Sequence, residues 1–296
     1  MSLRHLQTLV AVADSGSFNA AAERLGVTQS AVSMQMRALE DDLEVELFDR
    51  SKRPPLLNTL GHSLLERARE IVRLYDGLQE SVAKTGQLTG ALRLGAIPSV
   101  TTSILPPALA SLRNRHPALQ VRIESGLSTE LMTKVARGAL DAAVVTEPER
   151  LNKELQSANI LDEALIAVRH RNAPGSTDEA LLTASPFIRF NRRAGFGRIV
   201  DSALRARGLK VQDAMELDSI EAILLMVSQG LGVTVVPESS IVDRFAKTLH
   251  RTPFGDPPVR RRVCLVERAG NAQTQLTAAL REELRRTADD RAWLLP

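Results

Sequence analysis

The stretch Phe18-Asn19-Ala20-Ala21-Ala22-Glu23-Arg24-Leu25-Gly26-Val27-Thr28-Gln29-Ser30-Ala31-Val32-Ser33 decides how the N-terminal part of this chain folds. Three consecutive alanines allow two helices to cross closely, Gly26 suits a turn that needs positive φ, and Thr28 is placed to cap the helix that follows. Upstream, Leu6, Val10 and Ala13 fall on one helical face, Gly16 marks a stop, and Ser17 caps the quoted helix. Downstream, the third helix is predicted to run to about Leu43, with Val27 and Val32 packing beneath it. Short helix, glycine turn and longer helix at this spacing form a helix-turn-helix.

In such a unit the third helix turns its N-terminal residues toward the major groove of duplex DNA. Thr28, Gln29, Ser30, Ser33 and Arg37 are the expected contacts. The Gln29 amide can pair bidentately with adenine, the hydroxyls can reach phosphate or base edges, and Arg37 suits phosphate. The segment Leu47-Phe48-Asp49-Arg50-Ser51-Lys52-Arg53-Pro54-Pro55-Leu56-Leu57-Asn58 then reads as a wing, because apolar flanks enclose a basic tip and two prolines forbid helix. Arg50, Lys52 and Arg53 suit phosphate or a narrow minor groove. Residues 1–60 carry six bases against eight acids, a net charge of −2. DNA binding must therefore come from a few cations brought to one surface, not from bulk basicity. Aromatic content of 3% argues against stacking on single strands.

Asn58 is placed to open a long helix whose Leu64, Ala68, Ile71, Tyr75, Leu78 and Val82 alternate four and three residues apart. That spacing is a coiled-coil seam and implies a partner helix, so residues 59–88 are predicted to be a dimerisation linker after a domain at 1–58. Two glycines between 85 and 90 mark a hinge. Residues 89–296 then alternate strands (Ala91 to Ile97, Gln120 to Glu124, Ala142 to Thr146, Leu161 to Arg169, Pro186 to Phe190, Val233 to Val236, Arg262 to Val266) with helices. The order is α/β with mainly parallel strands in two lobes, about 91–161 with 267–296 and about 162–266, the last helix returning to the first lobe.

Ligands in open α/β sheets bind beyond the carboxyl ends of strands. Pro98 to Ser103 lies there, read as a loop before a helix at Ile104 to Asn114, with free N–H groups and hydroxyls that favour an oxyanion. The alternative use of the same hydroxyls is to cap that helix.

The quoted stretch, with Leu39-Glu40, Leu47-Phe48-Asp49-Arg50 and Arg53, resembles the LysR family of bacterial transcription regulators across nearly the whole chain. Ser30 departs from the family's usual proline and Asn58 from its usual threonine, and both replacements can start a helix. The resemblance implies a fold that is α/β with an N-terminal all-α winged helix-turn-helix and a two-lobed effector domain similar to periplasmic binding proteins. It also implies an antiparallel linker-helix dimer, commonly a tetramer, and RNA polymerase as a partner of an activating member. It points to Ser99 and Thr101, with Val100 and Thr102 beside them, as effector contacts, and by extension to Ser128, Thr146, Phe190 and Asn191.

Composition closes off other classes. The chain has 296 residues, 44% apolar and 25% charged, and one cysteine, Cys264, so no intrachain disulfide forms. No stretch approaches the roughly 18 apolar residues of a membrane span, and no secretory leader opens the sequence. A cytoplasmic protein is expected. His5, His62, His116, His170 and His250 are scattered, and no catalytic triad, Walker loop or dinucleotide motif occurs. No metal or cofactor is expected beyond a small-molecule effector. An enzyme built on the two lobes stays open as the alternative, and a solute receptor ranks below it for want of an export signal.

Overall fold

The structure, a computed structural model, describes residues 1–52, 54–81, 87–175, 177–241, 245, 247–271 and 273–290, with the side chains of 73 and 76–81 excepted. Arg53, Val82 and the side chain of Leu78 therefore lie outside the described residues. The chain forms two compact units, one built on Met1–Gly86 and one on Gln87–Ala136 and Leu140–Pro296.

The first unit contains α1 (Leu3–Ser15), α2 (Phe18–Leu25), α3 (Gln29–Leu43), a two-stranded wing of β1 (Phe48–Asp49) and β2 (Leu56–Leu57), and α4 (Thr59–Ser81). Each predicted cap is in place. Ser17 accepts from the Ala20 N–H and Thr28 from the Ala31 N–H, both at 3.2 Å, and Asn58 accepts from Gly61 at 2.8 Å. Gly26 closes α2 at φ 65, where a side chain would be strained. Leu6, Leu9, Ala21, Ala22, Val32, Met36 and Leu39 form the core, closed at the wing by Phe48 packed edge-on to Phe18 at 5.1 Å.

The expected coiled-coil seam needs correction. Ala68 is fully buried, with Leu65 beside it and Leu64 and Val72 partly so, because this side of α4 packs onto its own helix-turn-helix. Among the described side chains of α4, the exposed large apolar ones are Leu60, Ile71, Leu74 and Tyr75. Ile71 and Tyr75 remain available to a partner helix, whereas Ala68 is used within the chain.

The second unit begins with β3 (Gly90–Ala96), α5 (Pro98–Thr101), α6 (Leu105–Arg115), β4 (Leu119–Ser125), α7 (Ser128–Ala136), β5 (Ala142–Thr146) and β6 (Leu155–His170). It continues with α8 (Asp178–Ala184), β7 (Pro186–Phe190), α9 (Gly195–Ala206), β8 (Gln212–Leu217), α10 (Ile220–Ser228), β9 (Thr234–Pro237) and a 3-10 turn at Glu238–Ser240. β10 (Leu249–Pro253), β11 (Arg260–Arg268) and α11 (Thr274–Asp290) complete it. Pro98 to Ser103 is not all loop: proline at the first helical position lets Pro98–Thr101 close a helical turn.

Seven strands form one sheet in the order β10-β6-β11-β5-β3-β4, with β9 also on β6. Only β4, β3 and β5 run parallel in it, and β11, β9 and β10 are antiparallel to their neighbours. The expectation of mainly parallel strands is thus overturned for this sheet. The chain leaves the first lobe along β6 and returns along β11, so the two crossing strands must oppose each other. β6 is longer than the sequence pattern indicated because one strand serves both cores, Leu155, Ile160 and Leu161 in the first and Leu165 to Val168 in the second. On the way back, Val263 to Val266 already belong to the first core, which α11 covers with Leu276, Leu280 and Leu284.

Candidate functional site

On the DNA-facing expectation, α3 presents two kinds of residue. Thr28 spends its acceptor on the cap, and its hydroxyl lies 2.9 Å from that of Ser30, which holds both at the helix start. Gln29 and Arg37 are exposed and Ser33 half-buried, and their side chains make no hydrogen bond or ion pair among the described residues. Gln29 and Ser33 line a concavity of about 340 Å³ with Asn19, Phe48, Arg50 and Pro54, so the wing base and the start of α3 share one surface.

A buried glutamate fixes that arrangement. Glu40 on α3 accepts from the N–H groups of Leu47 and Phe48 at 2.8 and 3.3 Å and pairs with Arg50 at 2.5 Å. Arg50, expected as a free cation, is therefore anchored at one end while its side chain stays 45% exposed. Lys52 is exposed at the tip. Asp49 turns back onto Ser51, whose hydroxyl and N–H hold its carboxyl below the usual range. Some of the acids are paired within the unit: Asp14 with Arg24 and Arg69, and Asp42 with the N-terminal ammonium.

In the second unit a nearly closed cleft, with an open volume of only about 10 Å³, lies between the lobes. The first lobe lines it with Ile97, Pro98, Ser99, Gly126, Leu127, Ser128 and Thr146, the second with Phe190, Ala194, Gly195 and Phe196. Ser99, Ser128, Thr146 and Phe190 are thus brought together as expected. Four neighbours are not. Val100 is buried in the first core, the hydroxyls of Thr101 and Thr102 donate back to the Pro98 carbonyl at 2.8 and 3.3 Å, and Asn191 bonds Asp218 and the Arg193 N–H. The short turn of α5 consumes the threonine donors in its own backbone, and they do not cap the following helix, which starts at Ile104 without a side-chain bond.

The cleft is closely shut. A side chain at Gly195 would place its Cβ 2.7 Å from Thr146 Cβ, so the absence of one is what lets α9 approach β5. Phe190 and Phe196 stack at 4.4 Å to form the second lobe's apolar wall. α9 begins at Ala194 without a side-chain cap, leaving its first N–H groups for a ligand. The Ser128 hydroxyl is buried without a partner among the described residues.

Sequence reasoning missed the residues behind this cleft. Arg261 and Glu163 sit opposite each other on β11 and β6, only 2% and 4% exposed, paired through Arg261 Nε at 2.8 Å. Arg261 Nη1 donates to Ser99 Oγ at 2.9 Å and the guanidinium lies 5.3 Å from the Phe196 ring. Glu163 accepts from the Ser239 N–H at 2.9 Å. The pair thus ties both crossing strands to α5 of one lobe and to α9 and the 3-10 turn of the other. Strand alternation could have found Arg261, which shares the inward parity of Val263 within an otherwise basic run.

Cys264 is buried in the first core, and burial pushes its thiol up to about 12. Among the described residues no cluster of His, Cys, Asp and Glu could hold a metal, and no helix is long and apolar enough to cross a membrane.

Comparison with known proteins matches residues 3–62 to the family described as bacterial regulatory helix-turn-helix protein, lysR family, and residues 85–289 to the LysR substrate binding domain. The chain is 31% identical over 241 residues to the HTH-type transcriptional regulator CzcR of Bacillus cereus, covering 81% of this chain and 82% of that one. It is 28% identical over 294 residues to a probable RuBisCO transcriptional regulator of Cyanophora paradoxa, covering 96% and 91%. A solved full-length OxyR variant from Pseudomonas aeruginosa superposes with a TM-score of 0.78 at 26% identity, covering 96% of this chain and 95% of that one.

Proposed function

The chain belongs to the LysR family of bacterial transcriptional regulators, and from that premise we propose that it reads an interrupted inverted repeat in duplex DNA and answers to a small anionic metabolite held between its two lobes. The observation that carries the ligand half is the donor set of the cleft. Ser99 Oγ already accepts from Arg261. Its own O–H is left to donate into the cleft, alongside the partnerless Ser128 hydroxyl and the uncapped start of α9. Donors without acceptors suit a carboxylate or similar oxyanion. No residue lining the cleft is an acid or a base, which favours binding over catalysis.

Closure supplies the coupling. With Gly195 against Thr146, a metabolite must hold the lobes further apart to enter. A differential affinity of about 1–3 kcal/mol between the two arrangements would change DNA occupancy roughly 5- to 150-fold. A second copy covering Leu60, Ile71, Leu74 and Tyr75 on α4 would give the twofold symmetry that an inverted repeat requires. Such a protein acts where the DNA is, in the cytoplasm.

Selection from a random duplex pool with the full chain, followed by footprinting, tests the first half. The expected outcome is an inverted repeat, and Gln29→Ala relaxes preference at one base while keeping affinity for unrelated duplexes. A thermal-shift screen of small carboxylates tests the second: a ligand raises the melting temperature, and Ser99→Ala removes the shift. Turnover of any such acid would favour the enzyme alternative instead.

A further inference from the structure

α3 carries one side chain that neither the core nor the polar contacts account for. Met34 is the most exposed large apolar side chain among the described residues, at 66%. It lies one turn after Ser30 and three residues before Arg37, on the side of the helix away from Val32, Met36 and Leu39, which are buried in the core. Arg37, three residues on, is exposed and suits phosphate, and the other polar residues around it are committed or placed elsewhere. Thr28 and Ser30 hold each other at the cap, and Gln29 and Ser33 turn to the wing-side concavity. The outward centre of the reading helix is thus a thioether.

In the major groove thymine alone among the four bases offers an apolar group, its C5 methyl, and an apolar side chain on the groove-facing side of a helix has that methyl as its matching surface. An unbranched, flexible side chain can seat on it without a fixed approach angle. We infer that Met34 reads a thymine methyl in each half-site, adding a base position that hydrogen bonding by Gln29 does not cover. The inference rests on the DNA-reading role proposed for α3.

The test uses the full chain and the duplex it selects, with each thymine replaced singly by deoxyuridine, which keeps every hydrogen-bonding group and removes only the methyl. Wild-type protein is expected to lose about fourfold in affinity at one thymine per half-site, the worth of one buried methyl-sized group. Met34→Ala should bind the thymine and deoxyuridine duplexes equally, while Gln29→Ala keeps the fourfold difference. Met34 is exposed, so the alanine variant should melt with wild-type cooperativity. A wild-type protein blind to every methyl, or a Met34→Ala protein that keeps the same sensitivity, overturns the role. So does a Met34→Ala protein whose oligomeric state changes while methyl sensitivity persists. Failure to enrich any sequence would bring down the DNA-reading role itself, a result distinct from a selected duplex that is methyl-blind.

Discussion

Each unit of this protein hangs on a buried glutamate paired with an arginine, and the two pairs differ in how much water they see. Glu40 in the first unit holds the wing to α3, but Arg50 reaches solvent with 45% of its side chain exposed. Glu163 in the second unit holds the lobes together, and Arg261 is shut away from water. A half-solvated guanidinium can still be lent to a phosphate. An enclosed one acts only through what it touches, here Ser99 and Phe196. The same chemistry therefore gives an adaptable contact in one unit and a fixed joint in the other.

The largest effect should come from breaking the enclosed pair. Arg261→Ala leaves Glu163 charged and alone in the interior, and urea denaturation of the full chain should show the second unit losing roughly 3–5 kcal/mol. The double variant Arg261→Met, Glu163→Gln keeps an acceptor for the Ser239 N–H and removes both charges, so it should recover most of that loss. A double variant as unstable as the single one would mean that the ion pair is not what joins the lobes.

Glu40→Ala should cost less, about 1–3 kcal/mol for the first unit, because it strands two buried backbone N–H groups but no buried charge, Arg50 being half-exposed. Hydrogen exchange at the Leu47 and Phe48 amides is the sensitive measurement. Those amides should lose protection in Glu40→Ala and regain it in Glu40→Gln, which still presents an acceptor.

The smallest stability change is expected for Arg50→Ala, below about 1 kcal/mol for a half-exposed pair. Its value lies in DNA binding. If Arg50 lends its charge to a phosphate, the slope of log affinity against log salt should fall by about 1. An unchanged slope would place Arg50 with Arg261 as a purely internal tie and erase the contrast between the two pairs.

The first unit was largely legible from sequence because helix caps and turn glycines are local. Ser17, Thr28, Asn58, Gly16 and Gly26 each act within a few residues of themselves, so their types and spacing fix the elements. The cleft was legible only in part. Ser99, Ser128, Thr146 and Phe190 follow from where strands end, but Thr101, Thr102 and Asn191 carry similar chemistry and turn elsewhere. Which hydroxyl a backbone turn consumes depends on its dihedral angles, and the sequence pattern does not specify them at that resolution. β8 and β10 escaped notice because their short, polar stretches lack the alternation that marks a half-buried strand.

Sequence by itself determined the reading helix, its caps, the wing, the family and the two-lobed α/β plan, since these rest on periodicity and on residues acting over one or two turns. Only the tertiary structure decided that Ala68 packs inward, that the crossing strands run antiparallel, and that Arg261 meets Glu163 and Ser99 across separations of 98 and 162 residues. Contacts over such distances exist only once two strands have crossed between the lobes in register, and nothing in the immediate neighbourhood of any of the three residues records that crossing.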